Sequence, residues 1–280
     1  MTSIRQALHQ LLASPTEVPF EGEAEVVDIS RVGASYVRVT LRSEDFKKYH
    51  NPWPADALKL HLTPEEHRVY TVRSFDADEL TVVLDIHVHG VGLGARWLSN
   101  LSTGRRVSFT GRRPEFYRSD DVDGYLFVAD ASAAPAVAAI FDTLGQSDSV
   151  TALLALPEGG DCDLIRASTH WDVRWFSDHE ALLNEVRLLS LPSGRWQGWV
   201  ATETGYAQQL RALMLECHVS LPDLKAGSYW SSTEAWTDSY NRSVALFQKL
   251  REGGYDMTDP SILERLTFSE QTSKDPDYRL

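Results

Sequence analysis

Two short stretches carry the residue types with the most chemical use. The first is Arg68-Val69-Tyr70-Thr71-Val72-Arg73. Side chains of an extended strand alternate between faces, so Arg68 and Tyr70 share a face about 7 Å apart. That spacing suits a long, flat, anionic molecule: a guanidinium grips a diphosphate through two parallel hydrogen bonds while a phenol ring lies against a fused ring system. Thr71 adds a hydroxyl and a backbone N–H for a ring nitrogen, with Val72 beside it. The second stretch, His87-Val88-His89-Gly90-Val91-Gly92-Leu93-Gly94-Ala95-Arg96-Trp97, is a strand that breaks into glycines and restarts as a helix. Backbone N–H groups at such a restart meet phosphate oxygens. His87 and His89 make half of a metal site with no third ligand nearby, so solvated or ligand-flanking histidines are the expected reading.

These stretches need strands to hold them. Short β-rich runs cover residues 24–29, 36–41, 57–62, 69–74 and 80–89, and a last one lies between Gly104 and Gly111. In the run over 80–89, Leu80, Val82, Leu84, Ile86 and Val88 form a core face against a second, more polar one. Strands at close intervals with no long helix between them predict a small antiparallel β-barrel. Before them, residues 4–12 have helical spacing ended by Pro15. Beyond a polar joint at 119–124, strand and helix patterns alternate: strands over 125–129, 150–156, 173–176, 199–202 and 224–230, helices over 136–144, 180–189 and 207–216. That alternation predicts a mainly parallel α/β sheet covered on both faces, with ligands outside the carboxyl ends of its strands. The expected division is a barrel domain over 1–119, an α/β domain over 120–236 and a helical C-terminal extension over 237–280, whose helix near 243–250 ends at Gly253-Gly254.

The first strand-to-helix turn of the second domain is Ala129-Asp130-Ala131-Ser132-Ala133-Ala134-Pro135-Ala136. Asp130 or Ser132 can cap the helix, Pro135 suits its first turn, and the small residues admit a flat or phosphorylated ligand. No Gly-x-Gly-x-x-Gly fingerprint is present here.

A net charge of −13 argues against nucleic acid and anionic membrane surfaces as general partners. An anionic ligand must therefore rely on local cations, and Arg105, Arg112, Arg113 and Lys225 are the ones to test as substrate contacts. For Arg112 and Arg113 two readings stand: loop arginines that are solvated or paired with Glu115 and Asp120, or a lure for an anionic substrate or phosphate. Cys162 and Cys217 cannot by themselves make a disulfide framework or an iron–sulfur or zinc site. Arg5, His9 and Gln10 interrupt the first apolar residues, so no secretory signal is expected, and no apolar run is long enough to span a membrane. A cytoplasmic location is the default.

Taken together, the motifs resemble those of the siderophore-interacting protein family, flavin-dependent ferric-siderophore reductases related to ferredoxin-NADP reductases. Arg68-x-Tyr70-Thr71-x-Arg73 is similar to the family's flavin motif. The segment from His89-Gly90 to Arg96-Trp97 resembles its second motif, with Gly92-Leu93-Gly94 where the family has Gly-Pro-Ala. Asp130, Ser132, Ala133, Pro135 and Ala136 match its Asp-Glu-Thr-Ala-x-Pro-Ala, and Ala131 replaces the Glu. Trp199-Val200-Ala201-Thr202-Glu203 looks like its Trp-x-Ala-Gly-Glu. Gly227-Ser228-Tyr229-Trp230 looks like its Gly-Tyr-Trp, followed by Ser231 and Ser232 where the family carries a basic pair.

The resemblance implies an oxidoreductase that binds FAD, takes electrons from NADH or NADPH, or from a ferredoxin-like donor, and reduces a ferric siderophore. It implies Arg68 at the diphosphate, Tyr70 stacked on the isoalloxazine and Thr71 at the reactive ring nitrogen. His89, Gly90, Gly92, Gly94 and Ala95 would form the diphosphate loop, with Val72, His87 and Trp97 flanking it. Asp130, Ser132, Ala133, Glu203 and Trp230 would line the second-domain face. Two other readings share the scaffold: a flavin reductase with a different acceptor, and a flavin-binding accessory protein with little turnover.

Overall fold

The computed structural model describes residues 20–88, 92–119, 121–156, 161–232 and 245–255. The helix expected over 4–12 lies outside these residues. Six antiparallel strands close a barrel in the order β1-β2-β5-β4-β3-β6: β1 (Glu21–Val32), β2 (Tyr36–Arg42), β3 (Ala57–His61), β4 (His67–Asp76), β5 (Thr81–His87) and β6 (Arg106–Arg113). Closure leaves no strand edge unpaired. Val26, Val39, Leu41, Leu58, Leu60, Val82, Leu84, Val107 and Phe109 fill the interior, as period-two alternation requires. Helix α1 (Leu93–Ser99) adds Trp97 and Leu98 to the same core.

Strand β1 runs past the expected 24–29 at both ends because it has two partners. Residues Glu21 to Glu25 pair with β6, and Glu25 to Val32 pair with β2. Strand β5, by contrast, ends at His87, short of the expected 89.

The second unit is a five-stranded parallel sheet in the order β11-β10-β7-β8-β9. Its elements are β7 (Gly124–Asp130), α2 (Ala134–Phe141), β8 (Val150–Ala155), β9 (Asp172–Phe176), α3 (His179–Leu188), β10 (Trp196–Glu203), α4 (Thr204–Glu216) and β11 (Leu224–Trp230). Strands β7 and β10 are buried along their whole length, as a sheet covered on both faces demands. Helices α3 and α4 cover one face, and α2 the other. Every residue of α2 is buried, since it is wedged between the sheet and barrel strands β4 and β5. Its alanines let both partners approach closely. A further helix occupies 245–252 and stops at Gly253 and Gly254, the latter at φ 73°.

Polar contacts stitch the two units together. The Tyr36 hydroxyl donates to the Ala131 carbonyl at 2.5 Å, and Arg73 pairs with Asp142 at 2.6 Å. The Asp161 carboxylate accepts from the Ala34 and Ser35 N–H groups at 2.7 and 3.1 Å, which docks the β1–β2 turn on the loop after β8.

Inside the barrel domain, Asp56 is fully buried and accepts from the Tyr49 hydroxyl and the Trp53 N–H, both at 2.9 Å. Arg112 is its counter-ion at 2.7 Å and also donates to the His50 and Asn51 carbonyls at 2.8 Å. Its guanidinium lies over the Tyr49 ring as well. Arg112 is thus committed to the 49–56 loop, with Asp56 as its partner in place of the expected Glu115 or Asp120. Burial pushes the Asp56 carboxyl up to about 6 even though Arg112 pulls it down. Removing one member of a buried pair strands the other. Arg112→Ala should lower unfolding free energy by about 3 kcal/mol in chemical denaturation at neutral pH, whereas Arg105→Ala, at an exposed site, should stay within about 0.5 kcal/mol. Equal effects of the two changes would contradict this assignment.

Candidate functional site

The β3–β4 register pairs Leu58 with Tyr70 and Leu60 with Arg68, so both candidate residues lie on the face that carries the barrel's interior leucines. Tyr70 is only partly buried there. Its ring runs nearly parallel to that of Trp97, with centroids 6.3 Å apart at 19°. Burial pushes its hydroxyl up to about 12, opposed by the positive charge of Arg68.

The glycines of the second stretch complete this wall. A Cβ on Gly94 would stand 3.2 Å from the Tyr70 hydroxyl, and one on Gly92 would meet nothing within 4 Å. A larger side chain at Gly94 would press on the phenol, and one at Gly92 would enter open space. Gly92 is the N-cap of α1 and contributes no side chain to cap its first-turn N–H groups. A flat ring against Tyr70 and a diphosphate at this turn is what the arrangement fits. Arg68 is 23% exposed on the same face, where its guanidinium donates to the His67 carbonyl at 2.7 Å and to Glu66 at 3.3 Å.

The remaining first-domain candidates fall elsewhere. His89 and Gly90 lie outside the described residues. Ala95 sits half-buried in the first turn of α1. Val72 is in the barrel core, and its N–H is committed to the Asp56 carbonyl at 2.7 Å. His87 packs against Tyr36, ring centroids 5.0 Å apart, at the seam between the units. Among the described residues no group of three or more His, Cys, Asp or Glu side chains could hold a metal ion. No described helix is long and apolar enough to cross a membrane.

At the carboxyl ends of the parallel strands, Asp130 organises the edge. One carboxylate oxygen accepts from the Ser132 N–H at 2.9 Å and hydroxyl at 2.5 Å. The other accepts from His179 Nε2, the Glu203 N–H and the Trp230 indole, each at 2.9 Å. Burial alone would raise this carboxyl, but the bonds from His179, Ser132 and Trp230 hold it below the usual range. Glu203 is saturated in the same way, by the Gly205 and Tyr206 N–H groups and by the N–H and hydroxyl of Ser232. Both carboxylates therefore order the edge of the sheet and keep no unused oxygen for a ligand. Ala133 is wholly buried beneath them. The serine that stands where the family has a basic residue serves here as a partner for Glu203.

His179 gives no signal in the sequence beyond its place at a helix start on the ligand edge. Its ring stacks on Tyr206 at 4.5 Å and 16°. The hydrogen bond to Asp130 raises its pKa against the effect of burial. The stability it supplies is complete below the ordinary histidine value of 6.5 and fades as pH rises through the raised folded value. Asp130 acts at the other end, losing its contribution only as pH falls through its depressed value. The melting temperature should therefore decline on the alkaline side of about 6.5, and His179→Gln should flatten that decline in thermal melts recorded across pH 6 to 9. Parallel profiles for the two proteins would contradict it.

Comparison with known proteins follows the same division. Residues 64–116 match the model of a siderophore-interacting FAD-binding domain and residues 122–233 that of the siderophore-interacting protein, together more than half of the chain. The NADPH-dependent ferric-chelate reductase of Escherichia coli is 20% identical over 233 residues, which span 74% of this chain and 92% of that protein. The siderophore-interacting protein of Acinetobacter baumannii superimposes with a TM-score of 0.75 at 22% identity, over 83% of this chain and 99% of that one. A siderophore utilization protein from T. fusca gives 0.66 at 25% identity, over 77% and 94%. With a barrel that places Tyr70 against a glycine turn and a parallel sheet behind it, the chain belongs to the siderophore-interacting family of FAD-binding proteins.

Proposed function

We propose that this oxidoreductase takes reducing equivalents from NADH or NADPH and delivers them to Fe(III) held in a siderophore, so that the iron leaves as Fe(II) in the cytoplasm. The observation that carries the reading is the placing of Arg68 and Tyr70 on one face of β4, with the Tyr70 ring beside Trp97 and the turn that opens α1. Bound FAD supplies the redox chemistry, accepting a hydride and releasing electrons singly. The chain's own residues supply position. Arg68 brings a guanidinium to the diphosphate, and the first-turn N–H groups of α1 add donors. Tyr70, backed by Trp97, presents a flat face to the ring system, and the Thr71 hydroxyl is the donor toward its reactive nitrogen.

Release needs no acid, base or nucleophile from the protein. Hydroxamate and catecholate oxygens are hard donors that hold Fe(III) far better than Fe(II), so electron delivery alone loosens the metal. Arg113, half-exposed beside Glu115, and Lys225, 25% exposed, are two cations at the seam between the units. They are the residues we assign to an anionic ferric chelate. Arg105 lies apart from them, on a groove of about 620 Å³ shared with His61, Trp97 and Arg106.

The purified protein should be yellow and release FAD on denaturation. Under anaerobic conditions NADH, NADPH or a reduced ferredoxin should bleach it, and a ferric hydroxamate or catecholate should restore the colour faster than a quinone or free flavin. Recovery with the quinone alone would assign the scaffold a different acceptor. Arg68→Ala should weaken FAD binding by about 1.5–3 kcal/mol, roughly ten- to 150-fold in Kd. Unchanged affinity would place the diphosphate elsewhere.

A further inference from the structure

Charge at the seam between barrel and sheet is closely matched. Arg73 of β4 pairs with Asp142 at 2.6 Å. Arg113 of β6 and Lys225 of β11 share a single carboxylate, Glu115, with the ammonium 3.5 Å away. These three cations against two carboxylates leave one net positive charge.

Glu115 is fixed in place. Its carboxylate is 3% exposed, and its backbone carbonyl accepts from the indole N–H of Trp199 on β10 at 3.0 Å. Burial would raise this carboxyl, but the charges of Arg113 and Lys225 hold it below the usual range, so it stays ionised at neutral pH. Turning both cations wholly toward a ligand would strand a buried carboxylate, which is costly. Each cation can still share, because an ammonium has three N–H donors and a guanidinium five. Beyond Trp230 the chain continues with Ser231 and Ser232, and the Ser232 hydroxyl donates to Glu203 at 2.9 Å. The wider field is negative: Asp130 and Glu203 are the last residues of β7 and β10, and the whole chain has a net charge of −13.

A hydroxamate loses one proton on binding iron and a catechol loses two. A tris-hydroxamate of Fe(III) is therefore neutral, with anionic donor oxygens at its surface, whereas a tris-catecholate carries three negative charges. We propose that the seam selects ferric hydroxamates over tris-catecholates: Arg113 and Lys225 donate their unshared N–H groups to the ligand oxygens, while Glu115 cancels charge that a trianion would need. The inference rests on the ferric-siderophore reading above and narrows it, since the chelate is anionic at its oxygens rather than in net charge.

The test uses Ga(III), which has the charge of Fe(III) and is not reduced by flavin, so binding is read without electron transfer. A Ga(III) tris-hydroxamate and a Ga(III) tris-catecholate are titrated calorimetrically into the full-length protein loaded with FAD. Ionic strength is varied from about 0.01 to 1 M, over which the screening length falls from about 30 to about 3 Å. At low salt the hydroxamate should bind at least about tenfold more tightly. Its affinity should depend little on salt, and that of the catecholate should rise as repulsion is screened. Glu115→Gln should tighten the catecholate by about tenfold and leave the hydroxamate nearly unchanged. Should that variant fail to fold, the salt series on the wild type decides alone. Catecholate binding that equals the hydroxamate's at low salt, or that weakens as salt is added, would overturn the proposal. So would failure of both Ga(III) chelates to bind a protein that reduces ferric chelates. Failure of every ferric chelate to reoxidise the reduced wild type would instead overturn the reading beneath it, so the two failures are distinguishable.

Discussion

Successive residues of a β-strand face opposite ways, and β4 uses both directions at once. Arg68, Tyr70 and Val72 belong to the face that closes on the barrel core and α1, while Thr71 and Arg73 belong to the face that meets the second unit. A slip of one residue in register would exchange the two sets and dismantle both surfaces. The register is guarded by what lies on either side: Leu58 and Leu60, wholly buried opposite Tyr70 and Arg68, and the α2 helix wedged behind Arg73. The geometry of the site is in this sense a by-product of how the barrel packs.

Buried carboxylates do the corresponding work for the loops. Asp56 holds the 49–56 segment, Asp161 docks the β1–β2 turn on the other unit, and Asp130 and Glu203 draw the ends of β7, β10 and β11 together. Each is matched by N–H, hydroxyl or cationic donors, which is what allows acidic groups to sit in poorly solvated places. In the same acidic chain Arg68, Arg113 and Lys225 pair with Glu66 and Glu115 and remain partly exposed.

Much of this was legible in the sequence, because the signals were local. Alternation in the run before His87 gave a core-facing strand, and strand–helix repetition gave the parallel sheet. Asp130 was named with Ser132 as a cap, and it is Asp130 that accepts from the Ser132 N–H. What sequence did not show depends on partners distant along the chain. Arg112 read as one of two adjacent loop arginines until the fold brought it to Asp56. His179 meets Asp130 across 49 positions, and Tyr36 reaches Ala131 across 95. Asp130 and Glu203 read as ligand contacts because their place on the ligand edge was visible and their saturation by other groups was not. The ends of β1 were missed because pairing with two neighbours, rather than apolar pattern, holds them extended.

The central claim is that the surface formed by the Tyr70 ring and the glycine turn before α1 belongs to a flavin. Its most direct test is a calorimetric titration of FAD into flavin-free wild type and the Gly92→Val variant, with thermal melts of both. A valine at Gly92 enters open space from extended backbone, so the account predicts that the variant melts normally without ligand and fails to bind FAD. Wild-type affinity in that variant would contradict it.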